Sequence, residues 1–252
     1  MNCEVKYAPA SINDVVFTNA WTESSIKAIA KGLPVSGLLL SGSNGNGKTT
    51  IANVIANELT KHCPTLHMND SIEKFLGYED TRQVVLNVTT FCRTGCGATA
   101  KDRVVVIFNE LDKFKGRLDK LWLAMDVLKE DLLVIITTNE PMNIPLSLRS
   151  RCDKYDFRRV TPAEFLSRAQ FILKAEGVTL PDADTLFYLT SMTVKVSDVR
   201  DYLRVLDKLI YMTQNAIALP PVIVASTQSI PATVCAAAPA KESGGAKLRV
   251  AK

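Results

Sequence analysis

The sequence of 252 residues lacks the features that would place it in a membrane, secreted or fibrous class. It contains no apolar stretch of the length that crosses a bilayer, so we expect no membrane-spanning segment. Residues 1–7 include no apolar core of a signal peptide, and we therefore expect a cytoplasmic protein. Hydrophobic residues make up 47% of the chain, which is enough to build a large buried core.

The chain also lacks a strong charge of either sign and a regular spacing of cysteines. The formal net charge of +4 permits contact with nucleic acid without arguing strongly for it. The six cysteines are scattered, unlike a disulfide framework, and we expect reduced, mostly structural thiols. A zinc site with irregular spacing is the alternative, and its candidate ligands are His62, Cys63, His67, Cys92 and Cys96.

The sequence does contain a complete phosphate-binding motif at residues 42–49. Leu38, Leu39 and Leu40 predict a buried strand before it, and helical spacing begins at Ile51 after it. Glycines in such a loop let successive N–H groups turn toward a phosphate, and the following helix adds its partial positive charge. Lys48 is predicted to reach the β- and γ-phosphates and the Thr49 hydroxyl to bind Mg²⁺. The predicted nucleotide-binding residues are Gly42, Ser43, Asn44, Gly45, Asn46, Gly47, Lys48, Thr49 and Thr50.

Two further apolar runs end in polar residues that suit the same site. Residues 103–108 are typical of a central parallel strand, and Asn109 and Glu110 follow them. In P-loop enzymes an acidic pair at this place serves magnesium and the attacking water. We predict that Glu110 polarises the water and that Asn109, standing where an aspartate is expected, binds the metal. Residues 132–138 predict another strand before Asn139, which would face the γ-phosphate or the water, or else cap a turn.

From Thr161 onward the pattern changes to helices without strands. Residues 161–164 form a capping box with proline at the first helical position, and that helix is predicted to end near residue 175. Further helices are predicted at about 182–191 and 197–218. We predict an α/β P-loop domain with a central parallel sheet at 1–160, a three-helix lid domain at 161–218 and a disordered tail at 219–252.

Together these features resemble the AAA+ ATPases and, within them, the clamp-loader clade that opens sliding clamps at DNA, with small subunits of replication factor C as an example. The resemblance covers about residues 4–217. It rests on the P-loop and on five further segments. Lys6-Tyr7-Ala8-Pro9 with Asp14-Val15-Val16 is similar to the family's opening K-Y-R-P…D-D-V-V segment, and Asn109-Glu110-Leu111-Asp112 is similar to its D-E-A-D motif. Thr138-Asn139 is similar to the sensor 1 strand end, Arg149-Ser150-Arg151-Cys152 to the S-R-C motif, and Ser197-Asp198-Val199-Arg200 to the start of the sensor 2 helix.

The resemblance implies ATP and Mg²⁺ as cofactors and an oligomeric ring or arc, with identical or different subunits, as the working form. Arg151 would reach the γ-phosphate of the neighbouring subunit in trans, and Arg200 would contact the nucleotide in cis. DNA and a sliding clamp or another replication protein are the implied partners. Two departures stand out: the chain ends in a loose tail where clamp loaders have a helical collar, and Asn109 implies weaker metal binding.

Two other functions stay open at this point. A remodelling or interaction factor, such as a helicase loader or recombination accessory protein, would act on a protein partner without loading a clamp. A nucleotide-binding structural subunit, nearly inactive because of Asn109, is the third reading. Direct DNA contact is suggested only weakly, by basic residues near helix ends, namely Arg82, Lys101, Arg103, Lys113, Lys115 and Arg117.

Overall fold

The fold is given by a computed structural model that describes residues 2–61, 63–68, 72–95, 102–192 and 198–222. The described strands are β1 (Gly37–Ser41), β2 (His67–Met68), β3 (Val104–Phe108), β4 (Leu132–Thr138) and β5 (Asp153–Asp156). The described α-helices are α1 (Cys3–Lys6), α2 (Ala20–Ala30), α3 (Lys48–Leu59), α4 (Ile72–Gly77), α5 (Thr81–Gly95), α6 (Asp119–Val127), α7 (Leu146–Arg149), α8 (Pro162–Ala175), α9 (Asp182–Ser191) and α10 (Val199–Gln214).

The five strands form one parallel sheet in the order β2-β3-β4-β1-β5. Strands β3, β4 and β1 are buried along their whole length, as their continuous apolar sequences predict for a sheet covered on both faces. The predicted central parallel sheet is therefore confirmed. Because β4 lies between β1 and β3, the segments that follow these three strands emerge side by side at one edge of the sheet.

Helices cover the two faces of the sheet and give each face its own apolar core. Alternate residues of β1 point to opposite faces, since side chains alternate along a strand. Leu39 packs in a cluster with Leu121 of α6, whereas Leu38 packs in another cluster with Ile26 of α2 and Ile55 of α3. The sheet and its helices form a three-layer α/β arrangement. The carboxyl ends of the strands lie at one edge of this arrangement, where a ligand can bind.

Helices α8, α9 and α10 pack around a third apolar cluster that includes Phe165, Leu189 and Leu206. The predicted capping box at Thr161 and Glu164 is present, and each of its two side chains accepts from the other residue's backbone N–H. Helix α10 ends at Gln214, four residues before the predicted end. Ala216 adopts a left-handed conformation with φ of 53°, which terminates the helix.

Residues 3–7 pack against these three helices. Cys3 is fully buried in the third cluster, and its backbone N–H donates to Asp207 Oδ1 of α10 at 3.0 Å. Lys6 Nζ and the Tyr7 hydroxyl both donate to Glu176, at the end of α8. Leu219 and Val222 also pack against the third cluster, and residues 223–252 of the predicted tail lie outside the described residues.

The cysteines and histidines proposed as zinc ligands are only partly described. Cys3, Cys63 and Cys152 are buried free thiols, and burial raises the pKa of Cys3 and of Cys152 to about 12. His62, Cys96 and the Cys92 side chain lie outside the described part of the chain. Within that part, no group of three His, Cys, Asp or Glu side chains could hold a metal ion. None of its helices is long and apolar enough to cross a membrane.

Truncation of a buried side chain in the three-helix cluster should destabilise the protein. Leu206 of α10 is fully buried, so Leu206→Ala is expected to lower the free energy of unfolding by about 2–5 kcal/mol. Tyr211 of the same helix is 60% exposed, and Tyr211→Ala should change it by about 0.5 kcal/mol or less. Urea unfolding followed by circular dichroism measures both variants, and equal losses would contradict the packing described here.

Candidate functional site

The loop after β1 adopts a conformation that depends on glycine at two positions. Gly42 has φ of 137°, and a Cβ on it would lie 2.3 Å from the Phe157 carbonyl oxygen. Gly45 has φ of 77°, and a Cβ there would lie 1.9 Å from Asp198 Oδ2. Both values of φ are unfavourable for residues with a side chain. At these two positions the loop therefore presents backbone without side chains. The segment after β5 packs against it at Gly42, and the start of α10 packs against it at Gly45.

Lys48 begins α3, and its ammonium group lies inside this loop. The side chain is buried, and Nζ donates to the Gly42 and Ser43 carbonyl oxygens at 2.8 Å each and to Asn139 Oδ1 at 2.9 Å. Burial lowers the pKa of Lys48. Phosphate oxygens are stronger acceptors for an ammonium than these neutral oxygens. The loop and Lys48 thus fit a nucleoside triphosphate.

Asn46 has a bracing role that the sequence motif did not predict. Its side chain is buried, and Nδ2 donates to the Phe157 carbonyl oxygen at 2.6 Å and to Ser43 Oγ at 3.1 Å. These bonds hold the tip of the loop against the segment that follows β5.

The two predicted metal ligands lie beside each other, although they are 60 residues apart in sequence. Thr49 Oγ1 donates to Asn109 Oδ1 at 3.0 Å, and Thr137 Oγ1 donates to the same oxygen at 3.2 Å. Hydroxyl and amide oxygens are ligands that Mg²⁺ accepts together with water and phosphate oxygens. The pair therefore fits Mg²⁺, with one negative charge fewer than a threonine and an aspartate would provide.

Glu110 lies at a sharp turn immediately after β3 and Asn109. Its backbone is left-handed, with φ of 51° and ψ of 45°, and its N–H donates to Thr137 Oγ1 at 3.0 Å. Lys113 donates to the Glu110 carboxylate, and this hydrogen bond raises the pKa of Lys113. Both side chains are exposed, at 47% for Glu110 and 69% for Lys113, so the pair is a weak one.

A cavity of about 230 Å³ lies between this loop and the start of α10. Residues 44–50 line it, together with Glu110, Asn139 and Arg200. Arg200 Nε lies 3.4 Å from the Glu4 carboxylate, which lines the same cavity. The structure thus brings most of the sequence-predicted residues to one cavity. Gly42 and Ser43 do not line it, and their carbonyl oxygens accept hydrogen bonds from Lys48 Nζ.

Arg151 lies elsewhere, and it is not among the residues that line this cavity. It follows α7 and contacts Asp126 near the end of α6. Arg151 Nε donates to Asp126 Oδ1 at 2.9 Å, and Nη2 donates to Oδ2 at 2.6 Å. Its side chain is 31% exposed, so it is accessible to a second subunit.

One of the basic residues suggested for DNA contact has a structural role instead. Arg103 donates to the carbonyl oxygens of Val35, Lys129 and Glu130, the last two at 2.9 and 3.0 Å, and burial lowers its pKa. These three bonds leave the Arg103 guanidinium less available to a DNA phosphate than an unpaired side chain would be. Lys101 lies outside the described residues.

Sequence reasoning missed four charged residues that hold the predicted site residues. They are Glu4 at Arg200, Lys113 at Glu110, Asp126 at Arg151 and Asp198 at Gly45. Only the pair of Glu110 and Lys113 is close in sequence, with a spacing of three residues. The other three contacts join distant segments, and no local pattern in the sequence signals them.

Comparison with known proteins supports the predicted family resemblance. Residues 38–159 match the model of the family described as "ATPase family associated with various cellular activities (AAA)". Over these residues the chain is similar to AAA proteins. The matched residues contain the whole P-loop and the S-R-C segment with Arg151. They also contain all five strands except Gly37, the first residue of β1.

The resemblance to the clamp-loader clade is also confirmed, at low identity. The DNA polymerase III subunit gamma/tau of Mycoplasma genitalium is 25% identical over 228 residues, which are 81% of this chain and 36% of that protein. Replication factor C small subunit 1 of Pyrobaculum aerophilum is 28% identical over 187 residues, covering 73% of this chain and 55% of that one. This chain therefore spans about a third of the first relative and about half of the second.

Solved structures share the fold of this chain. RuvB of Thermotoga maritima superposes with a TM-score of 0.58 and 16% identity, over 84% of this chain and 68% of that chain. Domain III of the replication initiation protein DnaA from the same organism also has a TM-score of 0.58, with 18% identity and coverage of 84% and 92%. At such identities these comparisons support the P-loop AAA+ fold alone.

Replacement of the amide at residue 109 by a carboxylate should change the response to magnesium. Asn109→Asp would add a negative charge 3.0 Å from Thr49 Oγ1, and a carboxylate attracts Mg²⁺ more strongly than an amide dipole. The half-saturating magnesium concentration for ATP hydrolysis is expected to fall about tenfold or more, with little change in ATP affinity. Identical magnesium titrations of the two proteins would show that residue 109 does not face the metal.

Removal of Lys113 should release the Glu110 carboxylate. Lys113→Ala is expected to raise the ATP turnover rate by up to about fivefold, the factor that corresponds to an exposed ion pair. Lys115 is exposed two residues away, and Lys115→Ala serves as the matched control that keeps the Glu110 pair. A steady-state phosphate-release assay measures all three proteins, and reduced turnover in Lys113→Ala alone would contradict the expectation.

Proposed function

We propose that this protein binds and hydrolyses ATP as one subunit of a clamp-loader-like ring or arc, and that hydrolysis drives assembly or remodelling on DNA during replication. One observation carries the proposal. The cavity in one chain is lined by the P-loop, Glu110, Asn139 and Arg200, and Thr49 in its lining bonds Asn109. The S-R-C arginine, Arg151, does not line this cavity and is partly exposed. A site of this kind is completed by a neighbouring subunit.

Several residues of one chain would bind the substrate. Lys48 would exchange its bonds to the Gly42 and Ser43 carbonyls for bonds to the β- and γ-phosphate oxygens, which are stronger acceptors. Thr49 and Asn109 would hold Mg²⁺, which neutralises charge that develops on the phosphate oxygens. Arg200 would approach the phosphates from α10 after leaving Glu4.

Glu110 and Asn139 would act on the attacking water. Glu110 leaves Lys113 and accepts a proton from the water, while the water oxygen forms a bond to the γ-phosphorus and the bond to the β–γ bridging oxygen breaks. Asn139, released from Lys48, orients that water through its side-chain amide. The products are ADP, inorganic phosphate and the proton carried away by Glu110.

Hydrolysis would depend on assembly because Arg151 acts in trans. An arginine that stabilises charge on the transferred phosphoryl group accelerates hydrolysis by about 10³–10⁵-fold. Since the Arg151 of each subunit lies away from its own cavity, an isolated subunit lacks this contribution. Nucleotide state would thereby be coupled to the geometry between subunits, whether these are identical or different chains.

DNA, a sliding clamp or another replication protein, and a cytoplasmic location belong to the same proposal. They are supported by the names of the relatives, which are a DNA polymerase III subunit and a replication factor C subunit. Exposed basic residues at or near helix ends would contact DNA phosphates without sequence preference, namely Arg82, Lys113, Lys115 and Arg117.

A subunit-mixing experiment tests the trans site. Arg151→Ala is expected to keep ATP affinity and to lose at least about 100-fold in turnover, because it removes transition-state stabilisation only. Glu110→Gln should also be inactive, since it removes the base. A mixture of the two should recover activity, because it contains sites with an intact base beside an intact finger.

Two further variants make the result specific. Lys48→Ala should lose nucleotide binding, and Lys27→Ala, on α2 and paired with Glu23, should keep wild-type turnover. Absence of recovery in a mixture whose co-assembly is shown by native mass spectrometry would refute the trans arginine.

A further inference from the structure

The guanidinium group of Arg151 is held at three points by its own chain. Two bonds to the Asp126 carboxylate form a fork, at 2.9 Å from Nε to Oδ1 and 2.6 Å from Nη2 to Oδ2. A third bond runs from Nη1 to the Ser147 carbonyl oxygen at 2.5 Å. A guanidinium carries five N–H groups. Among the described contacts three are thus occupied, and two remain for an acceptor outside the subunit.

Both partners of the fork are fixed to the core of the sheet. On α6, Met125 precedes Asp126 and is 1% exposed, and on the other side Cys152 follows Arg151 and is 8% exposed. Gly37 of β1 lies between them, because a Cβ there would be 2.5 Å from Met125 Cε, 2.8 Å from Cys152 Sγ and 3.2 Å from the Arg151 carbonyl oxygen. The relative placement of Asp126 and Arg151 is therefore set by close packing against β1.

An arginine that must act on a second subunit needs this kind of restraint. Its side chain has many rotamers, and an arginine left to sample them would meet a neighbouring phosphate in the productive orientation only part of the time. A two-point carboxylate fork fixes the plane of the guanidinium as well as its position. The remaining N–H groups are then directed before the neighbouring subunit docks.

We propose that Asp126 is the positioning residue of the arginine finger, holding Arg151 in the orientation in which it completes the neighbour's ATP site. This inference rests on the trans role of Arg151 in the proposed function. Asp126 touches no substrate, and it acts through Arg151 alone.

Truncation and conservative replacement of Asp126 test the inference. Asp126→Ala removes both acceptors and should lower kcat about 10- to 100-fold with KM within about twofold, because misplacement of a catalytic group costs rate and not ground-state binding. Asp126→Asn keeps one acceptor oxygen and should show a smaller loss. Asp119→Asn, on the same helix and paired with Arg117, is the matched control and should keep wild-type kcat.

Two further measurements separate positioning from a structural role. In the double variant Asp126→Ala with Arg151→Ala, kcat should equal that of Arg151→Ala alone, since Asp126 has no effect once the finger is absent. A mixture of Asp126→Ala with Glu110→Gln should recover activity, because the Asp126→Ala subunit keeps an intact base and its neighbour keeps an intact finger. Thermal unfolding of each variant checks that the fold is retained.

Several outcomes would overturn the inference. If Asp126→Ala turns over ATP at the wild-type rate, Asp126 does not position Arg151, and if it turns over ATP faster, Asp126 holds Arg151 back. If the double variant is slower than Arg151→Ala alone, Asp126 acts by a route other than Arg151. If these occur while Arg151→Ala is inactive and rescued by mixing, the proposed function stands and the inference alone fails. Wild-type turnover of Arg151→Ala would refute both.

Discussion

The candidate site depends on the parallel pairing of β4 with β1 on one side and with β3 on the other. Ser41 lies beside Thr138, and Phe108 lies beside Ile136, so three chain segments leave the sheet at neighbouring points of one edge. The bond from Lys48 Nζ to Asn139 Oδ1 joins the segments that follow β1 and β4. The bond from Thr49 Oγ1 to Asn109 Oδ1 joins the segments that follow β1 and β3. A change of one residue in strand register would move the strand side chains to the opposite face and would displace the segments that follow them.

The cavity is bounded by three parts of the chain that come from different regions of the sequence. Residues of the P-loop line the cavity, and residues of α10 line it on another side, next to the contact of Asp198 with Gly45. The N-terminal residues line another side and are themselves bound to the lid helices through Cys3 and Asp207. All three parts line the cavity in which a nucleotide would bind.

Charged groups assigned to the chemistry are held by partners within the same chain. Glu110 is paired with Lys113, Arg200 with Glu4, and Arg151 with Asp126. The first two are exposed pairs of low strength, and phosphate or water can replace the partner at little cost. The pair of Arg151 and Asp126 differs, because two bonds in a fork and close packing behind them hold it, and this suits a residue whose target lies in another subunit.

Local patterns in the sequence determined the P-loop, the buried strands, the polar residues that follow them and the lid helices. Each of these depends on neighbouring residues: a continuous apolar run such as 104–108 requires burial on both faces, and the Thr161–Glu164 box starts a helix by itself. Only the tertiary structure decided the strand order, the backbone partners of Arg103 and the partner of Arg151. The choice of Asp126 depends on α6 and the S-R-C segment meeting at Gly37, and the three-dimensional packing of distant segments is not encoded in any local periodicity.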